Sequence, residues 1–92
     1  MIKTFRHKGL RQFFESGTTR GIQAAQKRKL QLILTTLNAA GDVQDMSAPA
    51  FKLHELKGVE LGVWSVWVNG NWRITFRFEK GDAYIVDYRD YH

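Results

Sequence analysis

Trp64-Ser65-Val66-Trp67-Val68-Asn69-Gly70-Asn71-Trp72-Arg73-Ile74-Thr75-Phe76-Arg77-Phe78 is the stretch that decides the fold. Aromatic and β-branched residues flank Asn69-Gly70, the dipeptide that most readily supplies the two positive φ angles of a type I′ turn. The stretch therefore predicts two antiparallel strands joined by a tight hairpin. Side chains alternate across a strand, so Trp72, Ile74, Phe76 and Phe78 share one face and Arg73, Thr75 and Arg77 the other. A single strand thus carries an apolar surface and a cationic one.

Around this hairpin the chain has 92 residues, 43% of them hydrophobic and 13% aromatic, enough for one packed core and one domain spanning residues 1–92. No run is long and apolar enough for a membrane span, and Met1-Ile2-Lys3 leads directly into charged sequence, which predicts a soluble cytoplasmic protein with no membrane partner. Cysteine is absent and only three histidines are present, so disulfides and thiolate metal sites are excluded. The net charge of +5 favours an anionic partner, nucleic acid before a membrane surface, although a charge of this size also serves ordinary solubility.

On the N-terminal side, Ile2 to Phe5 alternates as a short edge strand does. Leu10, Phe13 and Phe14 then fall at helical spacing in a helix over Lys8 to Glu15, stopped by Ser16-Gly17. Thr18 or Thr19 is suited to cap a second helix whose apolar residues Ile22, Leu30, Ile33, Leu34 and Leu37 face the sheet. That helix is expected to end near Ala40, with Gly41 in the left-handed position beyond it. Lys27, Arg28 and Lys29 on its solvent side read either as a solvated helix face or as a phosphate-contacting ridge. Asp42 to Pro49 is a loop, Phe51 to His54 resumes the alternation of a strand, and Glu55 to Glu60 is a second loop that carries Lys57. Lys80-Gly81 turns the chain into a last strand over Ala83 to His92, so two helices precede a three-strand meander.

If Lys80 and Gly81 are the two loop residues, Glu79 opposes Asp82, Arg77 opposes Tyr84, Thr75 opposes Val86 and Arg73 opposes Tyr88. On that register Tyr88, Asp90 and His92 project to the face of Arg73, while Phe76, Phe78, Ala83 and Ile85 line the face under the helices. A slip of one residue would reverse the assignment.

Neither zinc spacing nor a phosphate-cradling glycine loop occurs, and no metal or cofactor is expected. The residues left for chemistry are His54, Lys57, Arg73 and the terminal Asp90-Tyr91-His92. They suit cleavage of RNA through its own 2′-hydroxyl, which needs one group to take the 2′ proton, one to protonate the departing 5′ oxygen, and cations to neutralise the phosphorane. Imidazole titrates near neutrality, Arg73 is able to clamp a phosphate through its planar fork, and Lys57 adds a point charge. Asp90 serves either as base or as the group that orients an imidazole, and Tyr91 either stacks on a base or hydrogen-bonds the backbone. Each has a plainer role as a surface residue, an ion-pair partner or part of a frayed end, and on the residues alone a nucleic-acid-binding or protein-binding domain stays open.

Ile2-Lys3-Thr4-Phe5, His7-Lys8-Gly9-Leu10, Leu53-His54-Glu55-Leu56-Lys57-Gly58, Trp64-Ser65-Val66, Asn71-Trp72-Arg73-Ile74-Thr75-Phe76, Gly81-Asp82-Ala83-Tyr84 and Asp87-Tyr88-Arg89-Asp90-Tyr91-His92 together resemble the HigB toxins of the RelE superfamily, over essentially the whole chain. The resemblance implies an α+β fold with two N-terminal helices on one face of a small mixed, mostly antiparallel sheet. It also implies a metal-independent endoribonuclease, an mRNA interferase that cuts mRNA in the ribosomal A site. The partners it implies are a HigA-type helix-turn-helix antitoxin, the ribosome with its rRNA, and mRNA. Family roles fall on His54, Lys57, Arg73, Asp90, Tyr91 and His92, with Asn71 a candidate to contact a base and His92 as general acid or base; separately, so small a surface is expected to gain affinity for the ribosome through rRNA contacts of Lys27, Arg28 and Lys29. Trp67 departs from the family pattern. The competing readings are a ParE-like inhibitor of a protein target such as gyrase and a non-catalytic RNA-binding module.

Overall fold

β2 (Val63–Asn69) and β3 (Trp72–Glu79) form the expected hairpin at the centre of the computed structural model, which describes residues 1–91. β1 (His54–Glu55) and β4 (Asp82–Asp90) flank them in an antiparallel sheet of order β1-β2-β3-β4. Ile2 and Phe5 make isolated parallel bridges to Ala83 and Val86, so the N-terminal run borders β4 and adds the mixed character. Both helices, α1 (Lys8–Ser16) and α2 (Lys27–Ala39), pack on one face. The core between the layers holds Leu10, Leu30, Ile33, Leu37, Val66, Ile74, Phe76 and Val86, all fully buried. Burying side chains of this size contributes about 1.5–3 kcal/mol each. The fold is α+β, as the resemblance implied.

Four local expectations are corrected. The tight turn is Gly70-Asn71, because Asn69 still pairs with Trp72 and only Gly70 has a positive φ, 55°. α2 begins at Lys27 and not near Thr19. Ala24–Gln26 form a 3-10 turn before it, the Gln23 N–H is held by the Tyr88 hydroxyl at 3.3 Å, and among the described residues no side chain caps the helix. Its C-terminal end needs no left-handed glycine, since Ala40 is extended (ψ 133°) and the Asp42/Asp45 capping box starts the next turn. Asp45 also accepts the Gly41 N–H at 3.0 Å. Phe51 closes another 3-10 turn, Pro49–Phe51, so β1 keeps only two residues.

α1 starts and stops as read. His7 Nδ1 accepts the Leu10 N–H at 3.0 Å, and Gly17 terminates the helix at φ 81°. The helix is pressed onto the following segment through a glycine pair. A Cβ on Gly9 would lie 2.6 Å from the Gly21 carbonyl oxygen, and one on Gly21 would lie 2.4 Å from the Gly9 Cα, so neither position accepts a side chain.

Lys80 and Gly81 both have positive φ, 51° and 83°, so the second hairpin turn is as expected, and Glu79↔Asp82 and Arg77↔Tyr84 pair as counted. Beyond them the register slips. Ile85 occupies a β-bulge with φ 47°, Thr75 pairs with Asp87, and Arg73 pairs with Arg89. The extra residue inverts the parity of the rest of β4. Tyr88 is therefore buried in the core and Ile85 exposed, the reverse of expectation, and Arg89 takes the place foreseen for Tyr88 beside Arg73.

Candidate active site on the sheet face opposite the helices

Alternation along each strand builds this face in rows. Val63, Arg77 and Tyr84 form one row, His54, Ser65, Thr75 and Asp87 the next, and Trp67, Arg73 and Arg89 the third. Of the residues singled out from sequence, His54 and Arg73 lie on it. Tyr91 has the parity of Arg89 and is tied to the first hairpin turn, its N–H donating to the Asn71 carbonyl at 2.8 Å.

His54 is exposed, and its Nδ1 lies 3.1 Å from the Lys52 carbonyl oxygen. A carbonyl only accepts, so Nδ1 is the nitrogen that donates in this contact and Nε2 is the one it leaves unengaged. Lys57 is exposed on the loop between β1 and β2. That loop is closed by the Leu56 N–H on the Val63 carbonyl at 2.8 Å and the Gly62 N–H on Glu55 Oε2 at 2.9 Å.

Asp90 is corrected in placement. It pairs with Trp72, so it has the parity of Tyr88 and Ile74, opposite to Arg73, and it is exposed at the end of β4. Its charge is felt by Tyr88, whose pKa is raised first by burial and then by Asp90, against the Gln23 N–H, which lowers it. His92 lies outside the described residues. Lys27, Arg28 and Lys29 form the first turn of α2 in the helix layer. Lys29 has a structural place there, with Nζ 3.2 Å from the Ala50 carbonyl oxygen and 5.1 Å from the centre of the Trp67 ring. Lys52 stands 4.5 Å from the same ring and Trp67 Nε1 donates to the Gly70 carbonyl at 2.9 Å, so Trp67 ties the sheet edge to the helix layer.

Sequence reasoning missed Arg89. Its Nε donates to Thr75 Oγ1 at 3.0 Å and lies 3.6 Å from Asp87 Oδ2. Its second guanidinium nitrogen meets Glu60 Oε1 at 2.7 Å, and its Cζ stands 5.6 Å from the Tyr91 ring centre. A guanidinium held on three sides is pre-organised, and it supports the ring of Tyr91. Arg89, Arg77, Thr75, Asp87, Glu60 and Arg6 help line a cavity of about 130 Å³. The Ser65 hydroxyl, fully buried in the neighbouring row, has no hydrogen-bond partner among the described residues. The signal for Arg89 was there as an alternating Asp87-Tyr88-Arg89, but its direction depended on a bulge.

A family model described as "RelE-like toxin of type II toxin-antitoxin system HigB" matches residues 3–92. The chain belongs to the HigB-like toxin family. It is 46% identical over 92 residues to the "Endoribonuclease HigB" of Proteus vulgaris, covering all of both chains. The crystal structure of a YafQ mutant from E. coli superposes with a TM-score of 0.61 over 98% of this chain and 91% of that one, at 16% identity, which is a likeness of fold alone.

Proposed function

We propose that this chain is the toxin of a type II toxin-antitoxin pair and acts as an endoribonuclease that cuts mRNA in the ribosomal A site. The observation that carries the reading is that His54, Arg73 and Arg89 share the sheet face opposite the helices. The 46% identity to an endoribonuclease over the whole chain supports it. In the reaction a base removes the 2′ proton, the 2′ oxygen attacks the phosphorus, and the 5′ oxygen leaves with a proton, giving a 2′,3′-cyclic phosphate and a 5′-hydroxyl end. Neither metal nor added water is consumed in that step.

His54 and the terminal His92 supply the base and the acid, and Asp90, whose parity is opposite to that of Arg73, is left out of the reacting set. Arg73 clamps the phosphate, Lys57 adds charge from its loop, Tyr91 stacks on a base, and Asn71 on the turn beside it contacts one. Ribosome dependence follows from size, since a surface this small gains affinity from rRNA while the A site presents an unstacked codon. The toxin is held inactive by a HigA-type antitoxin in the cytoplasm.

The test is mRNA cleavage on translating ribosomes by the wild type, Arg73→Ala, His54→Ala and His92→Ala. Arg73→Ala should lose about 10²–10³ in rate, the scale of one lost transition-state donor. The histidine variants should each lose about 10²–10⁴, the scale of general acid-base catalysis. Growth arrest by wild type with intact mRNA, or undiminished cleavage by all three variants, would overturn the proposal.

A further inference from the structure

A second concave surface lies outside the candidate active site. Ile2, Phe5 and Thr4 form its floor, and α1 supplies Phe14 at one wall, enclosing a cavity of about 540 Å³. Its charged residues are Lys3, Arg6, Lys8 and Arg11 against the single carboxylate of Glu15. Among the described residues, Lys3, Lys8 and Arg11 make no ion pair, and Arg6 reaches only Asp87, at 3.9 Å. Lys8 is the first residue of α1 and no acidic residue offsets it in that turn, so its charge opposes the helix dipole. Phe5 and Phe14 lie 5.6 Å apart at 43°, and Phe14 is exposed. Arg6 also lines the smaller cavity beside Arg89, so it borders both the basic cleft and the candidate active face.

We infer that this N-terminal cleft is a second RNA-binding site, taking the phosphates of a single-stranded segment on Lys3, Lys8 and Arg11 and a base against Phe14. Cations that are free of carboxylates release counterions when they meet phosphates, and an exposed aromatic edge offers a surface to any base. Arg6, shared by both cavities, hands the strand from one to the other. The inference rests on the ribonuclease reading for the identity of the strand, which is either the message on one side of the cut or a ribosomal RNA segment.

Binding of the full chain should be measured against salt with a 2′-O-methylated RNA oligonucleotide, which cannot be cut, and separately with ribosomes lacking mRNA. The variants are Lys3→Gln/Arg11→Gln and the charge-retaining Lys3→Arg/Arg11→Lys. The first should bind on the order of tenfold more weakly near 0.1 M salt, with the slope of log K against log salt shallower by about 1.4 for two lost phosphate contacts. The second should match wild type. The arm that shows the loss identifies the strand. Unchanged slopes in both arms, equal losses in both variants, or a loss confined to antitoxin binding would overturn the inference. Because no cleavage is read, an inactive wild type would count against the ribonuclease reading and leave this result standing.

Discussion

Tyr88 shows how one residue joins the layers of this protein. Its ring stacks on Trp72 at 4.4 Å and meets the edge of His7 at 5.3 Å, while its hydroxyl donates to Gln26 Oε1 and accepts the Gln23 N–H. The N-terminal segment, the turn before α2 and two strands therefore share one phenol. Burial raises its pKa above the ordinary 10.0, with Asp90 adding to the rise. A group whose folded-state pKa lies above its unfolded value contributes stability that is complete below the unfolded pKa and is lost as pH rises through the folded one. Stability should therefore fall above about pH 10. Tyr88→Phe should remove that alkaline component and cost about 1–3 kcal/mol at neutral pH, because buried Gln26 loses its donor. Urea unfolding at pH 7 and at alkaline pH measures both effects. A variant that is as stable as wild type at neutral pH, or that keeps its alkaline loss, would contradict this account.

β4 is the element on which the active face depends. A β-branched residue at φ 47° is strained, and Ile85 is 42% exposed, so its side chain recovers little by packing. What holds it is the N-terminal run, since the Ile85 N–H donates to Thr4 Oγ1 at 2.7 Å and the Val86 N–H to the Thr4 carbonyl at 3.1 Å. The bulge turns Tyr88 inward and aims Asp87 and Arg89 at Thr75, Glu60 and Tyr91. Ile85→Gly should relieve the strain and raise stability by about 1 kcal/mol with an unchanged denaturant slope. A lower urea midpoint would show instead that the side chain holds the bulge. This element also marks where reading from sequence stops. The alternation of Trp72 to Phe78 and the Lys80-Gly81 turn were legible because they depend on neighbours two residues away. The inverted parity after Ile85 was not, because nothing local in Ile85-Val86-Asp87 marks a bulge and its cause, Thr4, lies 81 residues away. His54 and Arg73 were legible as candidates for the same reason as the strands, whereas the networks of Arg89 and Trp67 needed the tertiary structure. The second helix was misread at its start because Gln23 is bonded to Tyr88 rather than to a cap.

Over the whole molecule the +5 charge is distributed in a way that stability alone does not favour. Both helices begin with lysine, α2 runs Lys27-Arg28-Lys29 in its first turn, and neither first turn carries an acidic residue. Cations at a helix N-terminus oppose the macrodipole at a cost of about 0.3–1 kcal/mol each. Lys29 recovers its share through Ala50, Phe51 and Trp67, but Lys27 and Arg28 are exposed and make no ion pair among the described residues. If they serve as contacts for rRNA, stability and binding must pull in opposite directions there. Lys27→Glu/Arg28→Glu replaces two unfavourable charges by two favourable ones and should raise the melting temperature by roughly 4–8 °C, the equivalent of about 1 kcal/mol in a domain of this size. The same variant should bind ribosomes more weakly at physiological salt, with the deficit shrinking as salt rises. A gain in melting temperature with undiminished ribosome binding would make the cluster a plain solvated helix face. A drop in melting temperature would mean that the two side chains support α2 through their stems, and the opposition between folding and binding would not hold at this end of the molecule.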